Sequence, residues 1–275
     1  MPQLRTDSET AIENDLHVEI LGNLDRPILM MHGWGQSSLS FRPLAEILTN
    51  VGQVHLVDLP GFGSSPAPPE DWDTIQYAER IHRYIDERKL REVVLIGHSF
   101  GGRVSIRLAS RYPAQVESMI LINSGGLRRQ STAQGQWRSQ LIRIAGKACK
   151  AVDSACGSKL YEEVFVPKFA STDYKNAGKL RNILVKAVTE DVTADAQRIT
   201  VPTFLLWGER DQETPLEMGE RLHSLIKGSQ LLVLPGKGHF PFMGDGSHLC
   251  AKYILRFLAH ENDPRSPVAK EKEVK

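Results

Sequence analysis

Val93-Val94-Leu95-Ile96-Gly97-His98-Ser99-Phe100-Gly101-Gly102 is the stretch on which the reading of the fold turns. Its first four residues form a short apolar run rich in β-branched side chains, the pattern of a strand buried in a parallel sheet. After Gly102 the chain continues Arg103-Val104-Ser105-Ile106-Arg107-Leu108-Ala109, with apolar residues at helical spacing. Strand, tight turn and helix in this order are the context that a G-x-S-x-G nucleophile elbow requires. The turn forces Ser99 into a strained backbone conformation, and glycine at 97 and 101 removes side chains that would collide there. The result is a hydroxyl held clear of the sheet, at a helix N-terminus whose dipole favours a developing oxyanion.

Working outward, strand-like runs alternate with helical ones. Upstream lie Leu16–Gly22, an alternating edge strand whose preceding segment can pair with it as a hairpin, Pro27–Met31, and Val54–Asp58. Asp73 and Gln76 form a capping box that opens a helix with Ile75, Ala78, Ile81 and Ile85 on one face. Downstream come the strands Ser118–Ile122, Val201–Trp207 and Gln230–Leu234, a helix over Leu216–Ile226 and a last helix over Leu249–His260. Between Leu127 and Thr200 no strand-like run occurs. Such alternation implies a mostly parallel sheet of eight strands covered by helices on both faces. The expected organisation is an α/β core from 1–126 and 200–260, a helical cap from 127–199 and a disordered tail from 261–275, with ligands outside the carboxyl ends of the strands.

A chain of 275 residues, 41% hydrophobic and 24% charged with a formal net charge of +1, has an ordinary globular composition and no general affinity for nucleic acid. Cys149, Cys156 and Cys250 are too few for a disulfide framework. The first residues lack the apolar core of a signal peptide, and no apolar run approaches a membrane span of roughly 18 residues. The cytoplasm is therefore the expected location.

A serine hydroxyl attacks poorly unless a base takes its proton and a third group orients that base. His239, in Gly238-His239-Phe240-Pro241-Phe242 just after a strand, is the expected base. Asp211, in Glu209-Arg210-Asp211-Gln212-Glu213, is the expected acid; Glu209 and Glu213 compete for that role, while the exit of the preceding strand offers only Asn123 and Ser124. An oxyanion hole needs two convergent N–H donors, assigned to Phe100 and to Trp34 in His32-Gly33-Trp34-Gly35. His32 reads as structural, and His98 as pointing away from the site without a chemical role. The Gly-rich loops lack a nucleotide-binding form, and no histidine or cysteine spacing fits zinc, so neither cofactor nor metal is expected.

Nucleophile, acid and histidine in this order, each at a strand exit, resemble the α/β-hydrolase superfamily from Leu16 to the last helix. Within it, His32-Gly33-Trp34-Gly35, His55-Leu56-Val57-Asp58-Leu59-Pro60-Gly61-Phe62-Gly63 and Gly238-His239-Phe240-Pro241-Phe242 are similar to the esterases that cleave the methyl ester of pimeloyl carrier protein. His98 departs from the tryptophan of that group, and 127–199 carries none of its pattern. The resemblance implies an α/β-hydrolase fold and a serine carboxylesterase. A serine nucleophile separates the chain from the dehalogenases and epoxide hydrolases of this fold, which attack with Asp. Carbon–carbon bond hydrolases or lyases share the same triad and often carry Trp after the histidine. Phe240 stands there instead, is expected to touch substrate, and favours a plain ester. A binding protein with little turnover is a third reading, against which the complete triad weighs. The basic run Arg128, Arg129, Arg138, Arg143, Lys147 and Lys150, with no acid from Leu127 to Val152, suits an anionic or carrier-linked acyl substrate or a solvated helix face.

Overall fold

The computed structural model describes residues 9–13, 16–128, 133–169 and 171–259. The expected tail and Arg129 lie outside these residues, as do the side chains of Arg138 and Arg143. A hairpin, β1 (Glu9–Glu13) and β2 (Leu16–Leu21), is followed by β3 (Pro27–Met31), α1 (Arg42–Leu48), β4 (Gln53–Val57) and α2 (Thr74–Glu87). Next come β5 (Val93–His98), α3 (Phe100–Arg111) and β6 (Val116–Ile122). An insertion then carries α4 (Ala133–Cys156), α5 (Val166–Phe169), α6 (Thr172–Asn176), α7 (Arg181–Thr189) and α8 (Thr193–Ala196). The chain returns through β7 (Thr203–Gly208), α9 (Leu216–Leu225), β8 (Gln230–Leu234) and α10 (Gly246–Ala259).

The eight strands lie in the order β1-β2-β4-β3-β5-β6-β7-β8, antiparallel through β4 and parallel from there. The period of two along each strand sorts side chains into two cores. Leu29, Met31, Leu95, Leu121 and Leu205 pack beneath α2, α3 and α9, whereas Ile28, Met30, Ile96, Ile122 and Leu206 pack beneath α1 and α10. The first crossover runs from β3 out to β4 and the next returns past β3 to β5. The crevice of such a sheet opens at this reversal, beyond the strand ends. Ser99 and the loop after β3 flank it.

Asp73 caps α2 as expected, its carboxylate accepting from Ile75 and Gln76 N–H while the Gln76 side chain accepts from Asp73 N–H. α10 begins at Gly246, three residues before the expected Leu249, and a Cβ at that first position would lie 1.9 Å from the Pro241 carbonyl. The second half of the insertion is fastened to the core. Val192 N–H donates to the Gly126 carbonyl at 2.9 Å, and Arg107 of α3 forms a buried ion pair with Asp195. Lys147 and Lys150 on α4 are exposed, Lys150 Nζ lying 4.4 Å from the centre of the Tyr161 ring. Among the described residues no helix is long and apolar enough to cross a membrane.

Candidate active site

Ser99 stands between β5 and α3 with φ 48° and ψ −104°, outside the regions open to an ordinary L-residue. Conformations of this kind cost about 1–3 kcal/mol and persist only where the surroundings fix them. Here Ser99 N–H donates to the Ile122 carbonyl at 3.2 Å and its own carbonyl accepts from Gly125 at 3.0 Å, so the exit of β6 holds the turn from both sides. A Cβ at Gly97 would sit 2.6 Å from the Gly101 carbonyl, and one at Gly101 would sit 2.1 Å from the Met31 carbonyl. Both glycines are demanded by close backbone approach.

Asp211 and His239 meet above the ends of β7 and β8, with His239 Nδ1 2.8 Å from Asp211 Oδ2 and both side chains buried. Glu213 and Thr214 N–H donate to Asp211 Oδ1 at 2.8 and 3.0 Å, and Thr214 Oγ1 to Oδ2 at 2.7 Å. Asn123 completes the set by donating to Asp211 Oδ2, while its own Oδ1 accepts from Gly208 N–H at 3.0 Å. Burial alone would raise the Asp211 pKa. The hydrogen bonds from His239 and Thr214, the nearby imidazole charge and Asn123 outweigh it and bring the value down to about 2. Asp211 is therefore a carboxylate at neutral pH.

The competing acids fall elsewhere. Glu209 turns to the β8 turn, where it accepts from Gly236 N–H at 2.8 Å. Glu213 reaches the other imidazole nitrogen, its Oε2 3.3 Å from His239 Nε2. No hydrogen bond joins Ser99 Oγ to His239 among the described residues. Such contacts commonly tighten only when substrate is bound.

A cavity of about 450 Å³ lies over Ser99, lined by Trp34, Phe100, Thr214 and, from the insertion, Asp173, Leu184 and Val188. Among the described residues nothing accepts from the backbone N–H of Trp34 or of Phe100. Trp34 is fixed edge-on to Phe62 and Phe100, with ring centroids 4.9 and 5.4 Å apart. His32 donates from Nδ1 to the Gly33 carbonyl at 2.8 Å and accepts from Leu59 N–H on Nε2 at 3.0 Å, tying two loops together. Burial lowers its pKa to about 4, so it is a neutral strut.

Two expectations need correction. Phe240 does not line the cavity; its ring packs against His98 and His239, 5.1 and 5.0 Å between centroids, because the chain turns it back under the imidazole. His98 does not simply point away. Its Nε2 donates to the His239 carbonyl at 2.9 Å and its ring packs edge-on or tilted among Phe41, Phe240 and Phe242, so it holds the backbone of the histidine loop. Burial, reinforced by the His239 charge, pushes its pKa to about 3. Sequence reasoning also passed over Asn123 and Thr214 as partners of Asp211. The available signal was an asparagine at a strand exit, a residue that tolerates its φ of 44°. Among the described residues no three His, Cys, Asp or Glu side chains are grouped to hold a metal ion.

A parallel sheet with a strained serine at one strand exit and a carboxylate–imidazole pair at two others defines an α/β hydrolase. The chain belongs to the alpha/beta hydrolase family, whose model matches residues 28–252. It is 28% identical over 243 residues to the pimeloyl-[acyl-carrier protein] methyl ester esterase of Neisseria meningitidis serogroup C, covering 83% of this chain and 92% of that one. It is 27% identical over 235 residues to Lipase 3 of Moraxella sp. strain TA144, covering 79% and 72% respectively. In structure it is similar to an esterase from Exiguobacterium antarcticum (TM-score 0.68, 23% identity, 89% of this chain and 95% of that one). It is also similar to a bromoperoxidase from Bacillus anthracis (TM-score 0.68, 19% identity, 92% and 100%). At these identities the likeness describes the fold alone, and the two chemistries show how little the fold decides.

Proposed function

We propose that this hydrolase cleaves carboxylic esters through an acyl-enzyme on Ser99. The observation that carries the reading is the 2.8 Å contact between His239 Nδ1 and Asp211 Oδ2. A carboxylate at Nδ1 fixes the proton there and leaves Nε2 as the basic nitrogen. Nε2 takes the proton of Ser99 as Oγ attacks the ester carbonyl, and the N–H groups of Trp34 and Phe100 receive the oxyanion. The imidazolium formed is stabilised by Asp211 and returns its proton to the leaving alcohol. Water, deprotonated in the same way, then releases the acid and restores Ser99. Glu213, whose side chain is 60% exposed, must give up its contact with Nε2 for this proton transfer to occur.

The insertion acts as a cap in this reading, with Leu184, Ala187 and Val188 forming an apolar wall for the acyl group. Similarity to an esterase supports cleavage of acyl esters, and the exposed Lys147 and Lys150 suit an anionic substrate. The test is fluorophosphonate labelling followed by turnover of p-nitrophenyl esters of graded length. Covalent labelling at Ser99 with ester turnover is expected. A chain that is not labelled and turns over no ester would overturn the proposal, and cleavage of a dienone carbon–carbon substrate in place of esters would redirect it.

A further inference from the structure

Arg103 stands one helical turn beyond Ser99 on α3, its backbone N–H donating to the Ser99 carbonyl at 3.3 Å, and its side chain lines the cavity over that serine. The guanidinium lies along the exit of β6, where a Cβ on Gly125 would meet Nε at 2.6 Å. Nη1 is buried and has no acceptor among the described residues. The carboxylates nearest to it serve other groups. Asp195 pairs with Arg107, whose Nη2 also lies 3.7 Å from Glu190 Oε2. Glu190 accepts from Thr74 N–H at 3.1 Å and from its hydroxyl. Asp191 accepts from Thr193 N–H at 2.8 Å and lies 4.0 Å from Arg128 Nε. Burial draws the Arg103 pKa down to about 10, opposed by Glu190 and Asp191 and assisted by Arg107, and at neutral pH the group keeps its charge.

A cation with an enclosed, unfilled donor is expensive to maintain, and a guanidinium on the wall of a cavity beside a nucleophile is placed to take an anionic ligand. The cavity is also polarised. Its carboxylates belong to the histidine end: Glu213 lies 3.3 Å from His239 Nε2, and Asp173 lies close enough to feel the His239 charge. Leu184, Ala187 and Val188 supply an apolar wall to the same cavity. An anion is repelled at the histidine end and received at the Arg103 end.

Resting on the esterase reading, we propose that Arg103 binds a free carboxylate on the acyl part of the substrate, so that the preferred substrates are short half-esters of dicarboxylic acids. The guanidinium on the cavity wall can give a carboxylate a charge-assisted hydrogen bond, and the apolar wall takes the methylenes between the two carboxyl groups. The ester end then lies at Ser99, with its leaving alcohol toward His239.

Two measurements on the full chain test this and separate it from the esterase reading. The first compares kcat/KM for mono-p-nitrophenyl glutarate with that for p-nitrophenyl valerate. The unsubstituted chain should prefer the anionic ester, and Arg103→Met should lower the anionic-to-neutral ratio by roughly 30-fold, the scale of a lost charge-assisted contact. Arg103→Lys should restore part of it. A preference for valerate in the unsubstituted chain, or a ratio unmoved by Arg103→Met, overturns the proposal; the first of these needs no variant to fold. The second titrates monomethyl glutarate calorimetrically into Ser99→Ala, with and without Arg103→Met. Binding that weakens at least tenfold with the second substitution supports the carboxylate site even if no ester is turned over, in which case only the esterase reading fails. Ester turnover without charge preference and without such binding sinks the site and leaves the esterase reading standing.

Discussion

Met31, Ile96, Ile122 and Leu206, at or near the ends of four adjacent strands, are wholly buried, whereas Ile144, Val164, Val185 and Val188 of the insertion are 63, 43, 43 and 58% exposed. The first set fills a sheet pressed between two layers of helix, where each side chain has neighbours on every side. The second set belongs to the insertion, outside the two helical layers that press on the sheet. The strand exits inherit the rigidity of the core, and side chains mounted on them can be held to within a fraction of an ångström. In the proposed esterase, the insertion is the region that offers apolar surface for a substrate to complete. One region supplies position and the other supplies fit, so substitutions in the two should fail in different ways.

The largest effect is expected at Ser99. Ser99→Ala should lower ester kcat by about 10³–10⁶ with the fold intact, the range typical of a lost nucleophile. Ser99→Gly should do the same while raising the thermal midpoint, because glycine relieves the strain of φ 48°. Calorimetry alongside turnover checks both halves. Substantial activity in homogeneous Ser99→Ala would show that the rigid edge does not supply the nucleophile.

Next comes the acid. Asp211→Asn should lose about 10²–10⁴ in kcat by allowing the wrong imidazole tautomer, and Asn123→Ala should lose less, about tenfold, by releasing one donor to the carboxylate. Glu209→Gln should change kcat less than about threefold, as an exposed charge away from the imidazole does. A large loss with Glu209→Gln would reverse the assignment of the acid.

How the sequence could be read follows from the same contrast. The strands, α2 with its cap, and the three exits were legible because burial on two sides imposes periodicity, and a turn at a strand end imposes glycine. Ser99, Asp211 and His239 each sit beside such a signal. The helices of the insertion gave no comparable pattern. α4 bears exposed apolar side chains such as Ile144 and Val152, so burial does not fix its period. His98, Asn123 and Thr214 escaped for another reason. Their partners, His239 and Asp211, are about 90–140 residues distant for the first two, and a neutral side chain at a strand end carries no mark of what lies across the sheet.

The response to acid should divide the two regions. His32, His55 and His98 are buried with folded-state pKa values lowered, chiefly by burial, to about 4, 4 and 3. Each is neutral in the folded chain and takes a proton on unfolding, so its contribution is complete above pH 6.5 and is lost as pH falls toward these values. The loss should reach about 2 kcal/mol per histidine by pH 5. Asp211, with its pKa lowered to about 2, withdraws stability only below the ordinary carboxylate range. Urea midpoints should therefore fall between pH 7.5 and 5, and His55→Gln, remote from Ser99, should flatten the curve. Residues 127–199 contain no histidine. Protection factors in hydrogen exchange should accordingly fall at pH 5 in β3, β4 and β5 more than in α7. A pH-independent midpoint would mean that these imidazoles take up protons as readily in the folded chain as in the unfolded one.

The smallest effect, and the most informative about fit, is expected at Val188. Its side chain lines the cavity yet is 58% exposed, so in the free chain it contributes little to the core. If the insertion provides surface that substrate completes, Val188→Ser should leave the thermal midpoint within about 1 °C, because surface substitutions rarely exceed 0.5 kcal/mol. The same change should alter discrimination among substrates, since each methylene buried against this wall is worth about 0.8 kcal/mol. Burial of one or two methylenes corresponds to a change of roughly 4- to 15-fold in the kcat/KM ratio of a p-nitrophenyl hexanoate to an acetate ester. The ratio is the useful quantity, because a fault in the nucleophile or oxyanion hole would depress both esters together and leave it unmoved. A fall in the thermal midpoint by several degrees with an unchanged ratio would place Val188 with the packing of the core, and the division between a region that positions and a region that fits would then have to be drawn beyond α7.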